Sequence, residues 1–481
     1  MVDLGSNSVR LVVFEGRGPS PVTIFNEKAV LRLGRGLQTT GRLNEEGVVL
    51  ALQVMARFYA IGRAMGADPF EVLATAAVRD ATNGAEFADG LRAVMPGVAI
   101  RILSGEEEAA YSAAGLLCGI PQADGILADI GGGSLEVVRM AGGIRGEAKT
   151  LPLGVIRLSD RAGGDLVRAR ELADADLHAV KWLAGGEGRD LYLVGGAWRA
   201  VARVHMAMTG YPLSIVHHYI ISREAARATA GEMATPGKRL MPGMTRRRTE
   251  DLPYAAVVLR RLLRSTGARR VVFSASGLRE GWYMQRVPEA ARLEDPLLAE
   301  ARLTAAQSGR DLTLPPALLT WTAPLFRHET AEAARLREAA CWLSDIGSHD
   351  HPEYRAEQSF LRVLHHPGVG IDHPSRAFLA CVLAYRYEAE PDAPFLQPVR
   401  AMLTAEAAQA ATTLGCALRL AYTLSAGTRA LLTQTALLVN GALVLRLAPA
   451  GSGVFAGESV TRRLDRLAQA MGLTGSTQVS G

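Results

Sequence analysis

The stretch GILADIGGGSLEVVRM, residues 125–140, reads as strand, tight turn and strand. The apolar run 126–128 leads to Asp129, then come Gly131, Gly132, Gly133 and Ser134, and a second β-prone run starts at Leu135. Glycine permits positive φ and leaves no Cβ in the way. Successive N–H groups in such a turn can converge on an anion. Asp129 stands where the first strand ends, within reach of a cation bound to that anion. Taken alone, the stretch fits an ordinary glycine-rich hairpin equally well.

The chain opens with a second copy. VDLGSNSVRLVVFE, residues 2–15, aligns Asp3, Gly5, Ser8, Leu11 and Val12 with Asp129, Gly131, Ser134, Val137 and Val138, each 126 residues later. A single fixed offset indicates duplicated architecture. Two phosphate-type hairpins in matching places imply two related half-domains with a cleft between them. That arrangement resembles the actin, Hsp70 and sugar-kinase superfamily, in which two such domains close on a phosphorylated ligand.

The 481 residues exceed one hydrophobic core, so about three or four domains are expected. Hydrophobic residues make up 48% and charged residues 21%, as in ordinary globular proteins. No continuous apolar run approaches the roughly 18 residues of a membrane span, and the first apolar residues belong to the Asp3 hairpin rather than a signal peptide. Cys118, Cys341, Cys381 and Cys416 are far apart with no CxxC pair, which fits buried free thiols in a reducing cytoplasm. A net charge of +5 is mild and does not indicate nucleic acid. The arginine clusters at 246–248, 260–261 and 269–270 fit either a solvated face or a channel for a polyanion.

Along the chain, β-like runs are expected at 21–25 and 29–33, and a helix from an Asn44 cap to about 65. A strand at 71–76 places Arg79 at a strand's carboxyl end, where open α/β sheets bind ligands; a surface arginine is the plainer reading. Ser104 and Glu107 form an S-x-x-E capping box. Glu106 and Glu107 complement the helix dipole, whereas Glu108 lies one residue further in and points elsewhere, toward the cleft. Strands are expected at 135–140, 144–150, 191–194 and 271–273, and helices at 165–183 and 250–265. Gly195 and Gly196 open a helix after a strand, which suits either a ligand or close packing. Residues 235–243 read as a loop. From about 288 to about 400 the pattern is helical; the remainder mixes helix with a hairpin, where Asn440-Gly441 signals a type I′ turn within 436–447, and a basic amphipathic helix spans 459–471.

Together DLGSNSVRL (3–11), TAAVRDA (75–81), LSGEEEA (103–109), DIGGGSLE (129–136), VGG (194–196) and GLREG (277–281) closely resemble the exopolyphosphatase and guanosine pentaphosphate phosphohydrolase family, over about the first 285 residues. The resemblance implies duplicated actin-like (ribonuclease H-like) α/β domains at 1–122 and 123–287, a helical HD-like domain at 288–400 and a small α+β domain at 401–481. In AACWLSDIGSH, residues 339–349, Ser344 stands where an HD site would carry its histidine before Asp345. His349-Asp350 follows in a loop with His351, His365, His366 and His373 nearby, and the spacing departs from the HD pattern. A structural domain that extends the substrate path is expected.

The same resemblance assigns Glu108 as the base that deprotonates water. It places Mg²⁺ (or Mn²⁺) at Asp129 with Glu136 as a further acidic residue, and phosphate oxygens on Ser6, Asn7, Arg79, Gly131, Gly132 and Ser134. Arg10 contributes to that set or is an exposed strand residue, and Gly195 and Gly196 match the second-domain ligand loop. The expected reaction is release of orthophosphate from inorganic polyphosphate. The alternatives are hydrolysis of the alarmone pppGpp to ppGpp, and a sensor of either ligand without catalysis. A sugar kinase or actin-like ATPase fits the glutamate helix less well. A cytoplasmic homodimer, with neither nucleic acid nor a membrane span, completes the expectation.

Overall fold

The computed structural model describes all residues except 17, 236–240, 246–248, 450–452, 456 and 480–481. The arginines at 246–248 and part of the 235–243 loop therefore lie outside the described residues. The chain divides into two compact units, Met1–Leu293 and Glu294–Gly481.

The first unit is built on two sheets. Strands β1 (Val2–Leu4), β2 (Ser8–Glu15), β3 (Val22–Val30), β4 (Glu71–Ala74) and β5 (Ala99–Ile102) are ordered β3-β2-β1-β4-β5. Strands β6 (Gly125–Ile130), β7 (Leu135–Ala141), β8 (Ile144–Leu151), β9 (Asp190–Val194), β10 (Tyr219–Ser222) and β11 (Arg270–Ser274) are ordered β10-β11-β9-β6-β7-β8. Reversed and stripped of the edge strand β10, the second order repeats the first. In both sheets the first hairpin is antiparallel and the next two neighbours are parallel. The duplication reaches individual hydrogen bonds: the Gly5 N–H donates to the Ser8 carbonyl at 3.0 Å, and the Gly131 N–H to the Ser134 carbonyl at 2.9 Å.

Seven helices position the cleft. They are α1 (Glu45–Ala64), α2 (Ala76–Asp80), α3 (Gly105–Gly119), α4 (Val155–Arg161), α5 (Gly196–Thr209), α6 (Leu252–Thr266) and α7 (Leu278–Met284). The Asn44 side chain caps α1 by accepting from the Gly47 N–H at 2.8 Å. Helix α1 is long and apolar enough to cross a membrane by length and composition, although Gln53 and Arg57 interrupt its apolar run. Here its Ala51, Met55 and Phe58 pack against Val2, Leu4, Leu11 and Val72 of the first sheet. The second sheet buries Ile126, Leu193 and Phe273 against Trp198, Val258 and Leu262. Helix α3, from the first half of the chain, packs Ala109, Ala113 and Leu116 against Leu127, Val138 and Tyr192 of the second sheet.

Several expectations change in detail. The run at 21–25 and the start of the run at 29–33 belong to one strand, β3, which ends at Val30. It lies at the sheet edge, where Asn26, Glu27 and Lys28 can face water. The strand expected to 76 stops at Ala74, so Arg79 sits in the short helix α2 rather than at a strand end. The helix expected over 165–183 ends at His178, and a 3₁₀ turn, Lys181–Gly186, then inserts Leu183 into the core.

In the second unit α8 (Ala331–Leu343), α9 (His373–Arg386), α10 (Ala405–Ser425) and α11 (Glu458–Ala470) accompany a sheet of β12 (Thr435–Val439), β13 (Leu443–Leu447) and β14 (Gly475–Val479). The hairpin at 440–441 is real, but Val439 pairs with Leu443 and only Gly441 has positive φ, 69°. It is therefore a three-residue loop with glycine in the left-handed position, not a type I′ turn.

Candidate active site

The two hairpins, the start of α3 and the start of α5 surround one cavity of about 390 Å³. Glu108, Ser6, Asn7, Arg10, Asp129, Gly131, Gly132, Ser134, Glu136, Gly195 and Gly196 all line it, and Arg79 does not.

The strand register explains the pairing of charges. In the first hairpin Asp3 is opposite Arg10, and in the second Asp129 is opposite Glu136. Opposed residues of an antiparallel pair project to the same face. One hairpin thus presents an acid with a base to the cavity, and its copy presents two acids. Asp129 accepts a hydrogen bond from the Ser112 hydroxyl of α3. Asp3 lies 3.9 Å from the Arg279 guanidinium. Glu136 is buried, and its Oε1 has no hydrogen-bond partner among the described residues.

Gly132 and Gly133 serve close approach. None of Gly131, Gly132 and Gly133 has positive φ, so conformational freedom is not the reason for the run. A Cβ on Gly133 would lie 2.8 Å from the Ser6 hydroxyl and 3.0 Å from Ala76, so the two hairpins meet where no side chain fits. Behind the turn, Val155 N–H donates to the Gly131 carbonyl at 3.1 Å, and Ile156 N–H to the Gly132 carbonyl at 3.0 Å. In planar trans peptides those bonds turn the Gly132 and Gly133 N–H groups away from α4. Gly195 differs: its φ is 122°, and a Cβ there would fall 2.3 Å from the Ile130 carbonyl.

Glu108 is 6% exposed. The capping box is present, with the Ser104 side chain accepting from Glu107 N–H at 3.2 Å and Glu107 accepting from Ser104 N–H at 2.8 Å. Glu106 meets Arg145 on the outside. Glu108 alone of the three turns inward, where it is ion-paired with Arg79. Burial raises its pKa to about 7, Arg79 pulls it down, and Asp129 and Asp3 push it up. Burial also raises Asp3, Asp129 and Glu136, the last with added repulsion from Glu108 and Asp129. Burial, reinforced by Arg279, lowers the Arg199 guanidinium to about 10.

Sequence patterns alone do not single out Asp3 as a site residue, nor Lys28, Ser112, Arg199, Arg203 and Arg279, all of which line the cavity. Two of them carry a signal. Asp3 is the counterpart of Asp129 in the repeat, and Arg279 is the charged centre of the GLREG motif. Nothing local marks Lys28, Arg199 or Arg203, whose strand and helix are brought to the cavity by tertiary packing.

A duplicated α/β fold, with acidic and basic groups facing one cleft, is the class this chain falls into. The chain belongs to the Ppx/GppA phosphatase family, whose pattern matches residues 12–290. The pattern described as exopolyphosphatase, C-terminal, matches residues 310–477. Exopolyphosphatase 1 of Mycobacterium tuberculosis is 27% identical over 308 residues, covering 60% of this chain and 88% of the relative. Exopolyphosphatase 2 of the same organism is 26% identical over 274 residues, covering 52% and 82%. Among solved structures, an exopolyphosphatase from Cytophaga hutchinsonii aligns with a TM-score of 0.54 at 22% identity, covering 59% of this chain and 96% of that one. The Aquifex aeolicus Ppx/GppA family member gives 0.51 at 22%, covering 60% and 96%.

Proposed function

We propose that this chain is an exopolyphosphatase, which cleaves the terminal phosphoanhydride bond of inorganic polyphosphate and releases orthophosphate. Glu108 carries the reading: it is a buried carboxylate, raised to about 7, on the wall of a cavity that also holds both glycine hairpins. In-line attack of water on a terminal phosphorus needs a base, charge neutralisation and fixed positions. A base works best with a pKa near the working pH, and burial gives Glu108 that value. Ser6, Asn7, Ser134 and the glycine hairpins would bind phosphate oxygens, and Arg10, Lys28, Arg199 and Arg279 would balance their charge. Arg79 holds the base rather than lining the cavity.

The residues present suit Mg²⁺ (or Mn²⁺) in one form. Among the described residues no group of three or more His, Cys, Asp or Glu side chains makes a cage. Magnesium needs no such cage, since one or two carboxylates with waters and substrate phosphates suffice. Asp129 and Glu136, opposed across one hairpin, are the proposed holders, and the unpartnered Glu136 Oε1 supports this. When bound, the ion would screen the acids and the phosphate charge.

The second unit is proposed to be HD-like without an HD site. Ser344 is hydrogen-bonded to Tyr422, and Asp345 is held by Arg310 through two 2.9 Å bonds, where an HD aspartate would meet metal. A cytoplasmic homodimer belongs to the same proposal, and the four buried free thiols support a reducing setting. The test is phosphate release from long polyphosphate and from pppGpp at matched enzyme concentration. Faster release from polyphosphate is expected. Turnover of pppGpp alone assigns the alarmone reaction, and turnover of neither makes the chain a binding module.

A further inference from the structure

Two side chains outside the cavity connect its halves. Asp80, the last residue of α2, accepts from Arg79 Nε at 3.2 Å and is ion-paired with Arg157 of α4. Arg79 in turn donates from Nη1 to the Leu103 carbonyl at 2.8 Å and to the Glu108 carboxylate. At the other end, α4 begins on the second hairpin, with the Arg157 N–H donating to the Gly132 carbonyl at 3.1 Å. A continuous chain of contacts therefore runs from the Gly132-Gly133 peptide through Arg157, Asp80 and Arg79 to Glu108. It crosses from the second sheet's hairpin to a helix that follows β4, the neighbour of the first sheet's central strand β1.

The charges are shielded enough for this geometry to matter. The Arg157 side chain is 13% exposed and that of Asp80 is 32% exposed. Asp80 can be reached by both guanidiniums because α2 replaces the expected strand end with one helical turn. Arg79 is fixed at three points, so the carboxylate it holds is fixed as well. Without Asp80, Arg79 keeps its contacts to Leu103 and Glu108 but loses the tie to the other half.

We propose that Asp80 and Arg157 are positioning residues for the hydrolysis, which hold the Arg79–Glu108 pair in register with the glycine hairpin of the opposite half. This rests on the reading of Glu108 as the base. Neither residue lines the cavity, so neither contacts substrate there. Displacing a catalytic group by about 1 Å can cost as much as 10²-fold in rate, whereas the loss of one partly shielded ion pair lowers stability only modestly. Positioning and folding roles therefore separate experimentally.

The experiment compares Asp80→Asn, Arg157→Gln, Arg157→Lys, the Asp80→Asn/Arg157→Gln double variant and Glu108→Gln in the full-length protein. It measures kcat and KM on long-chain polyphosphate, and the melting temperature. Each neutralising single variant should lower kcat by about tenfold, with KM within about threefold and the melting temperature lowered by no more than a few degrees. The double variant should be no slower than the slower single, because both break one chain of contacts. Arg157→Lys should recover part of the loss. Unchanged kcat in both singles, a rise in KM alone, losses that multiply in the double, or a kcat loss that tracks a lowered melting temperature would overturn the proposal. Glu108→Gln separates the two readings. If it is inactive while Asp80→Asn and Arg157→Gln turn over normally, only the relay fails. If it is fully active, the base assignment fails and the relay with it.

Discussion

The Arg79 guanidinium is ion-paired with the Glu108 carboxylate inside the first unit, and burial of that carboxylate outweighs the pairing. The proposed base is thus held by a cation yet keeps a pKa of about 7. A base must be ionised to act, so kcat/KM should rise with pH through about 7 and level off above it. Arg79→Met removes the cation that favours the ionised form. The acid limb should then move to higher pH by about one unit or more, and a shift to lower pH would contradict the pairing.

The same group has a stability signature. Its folded pKa lies above the ordinary 4.5, so the stability it contributes is present below 4.5 and is lost as pH rises through about 7. Melting temperature should fall more steeply between those values in the wild type than in Glu108→Gln. Equal slopes in the two proteins would show that Glu108 does not titrate as described.

Asp129 and Glu136 face the cavity from opposed positions of one hairpin, and both are raised by burial. Excess chelator should abolish phosphate release, and added Mg²⁺ or Mn²⁺ should restore it. Asp129→Asn should be much less active and should weaken Mg²⁺ binding measured by calorimetry. Full activity in chelator would remove the ion from the site.

In the second unit, Arg310 has a 46% exposed side chain and the Asp345 it holds one of 10%. Asp345→Asn breaks a half-buried pair and should cost about 1–3 kcal/mol in denaturant unfolding, less than a fully buried pair. Phosphate release from a short polyphosphate should stay within about twofold of wild type. A large fall in kcat with unchanged stability would give this residue a chemical role.

The parts of the site that recur along the chain are legible in the sequence. The 126-residue offset places both hairpins, and the capping box at Ser104 singles out Glu108 from its neighbours. Both depend on local patterns, which a chain displays in order. The role of the glycine run is not legible in the same way: positive φ is a local property, but the close approach of Gly133 to Ser6 joins residues far apart in sequence. TAAVRDA continues an apolar run and so suggests a strand end at Arg79, whereas the folded chain turns into α2 after Ala74. Lys28, Arg199 and Arg203 reach the cavity on long side chains from elements of ordinary pattern. Strand β14 carries no local signal, because its parallel partner β13 is set by tertiary pairing.

Phosphate release from long polyphosphate by Glu108→Gln, beside Glu106→Gln and Glu107→Gln, tests the central claim most directly. Glutamine keeps the volume and the contact with Arg79 but cannot take the water's proton. Removing a general base costs about 10²–10⁴ in rate. Glu108→Gln should lose turnover on that scale while still binding polyphosphate, and the other two variants should stay within about threefold of wild type. Wild-type turnover by Glu108→Gln would contradict the account.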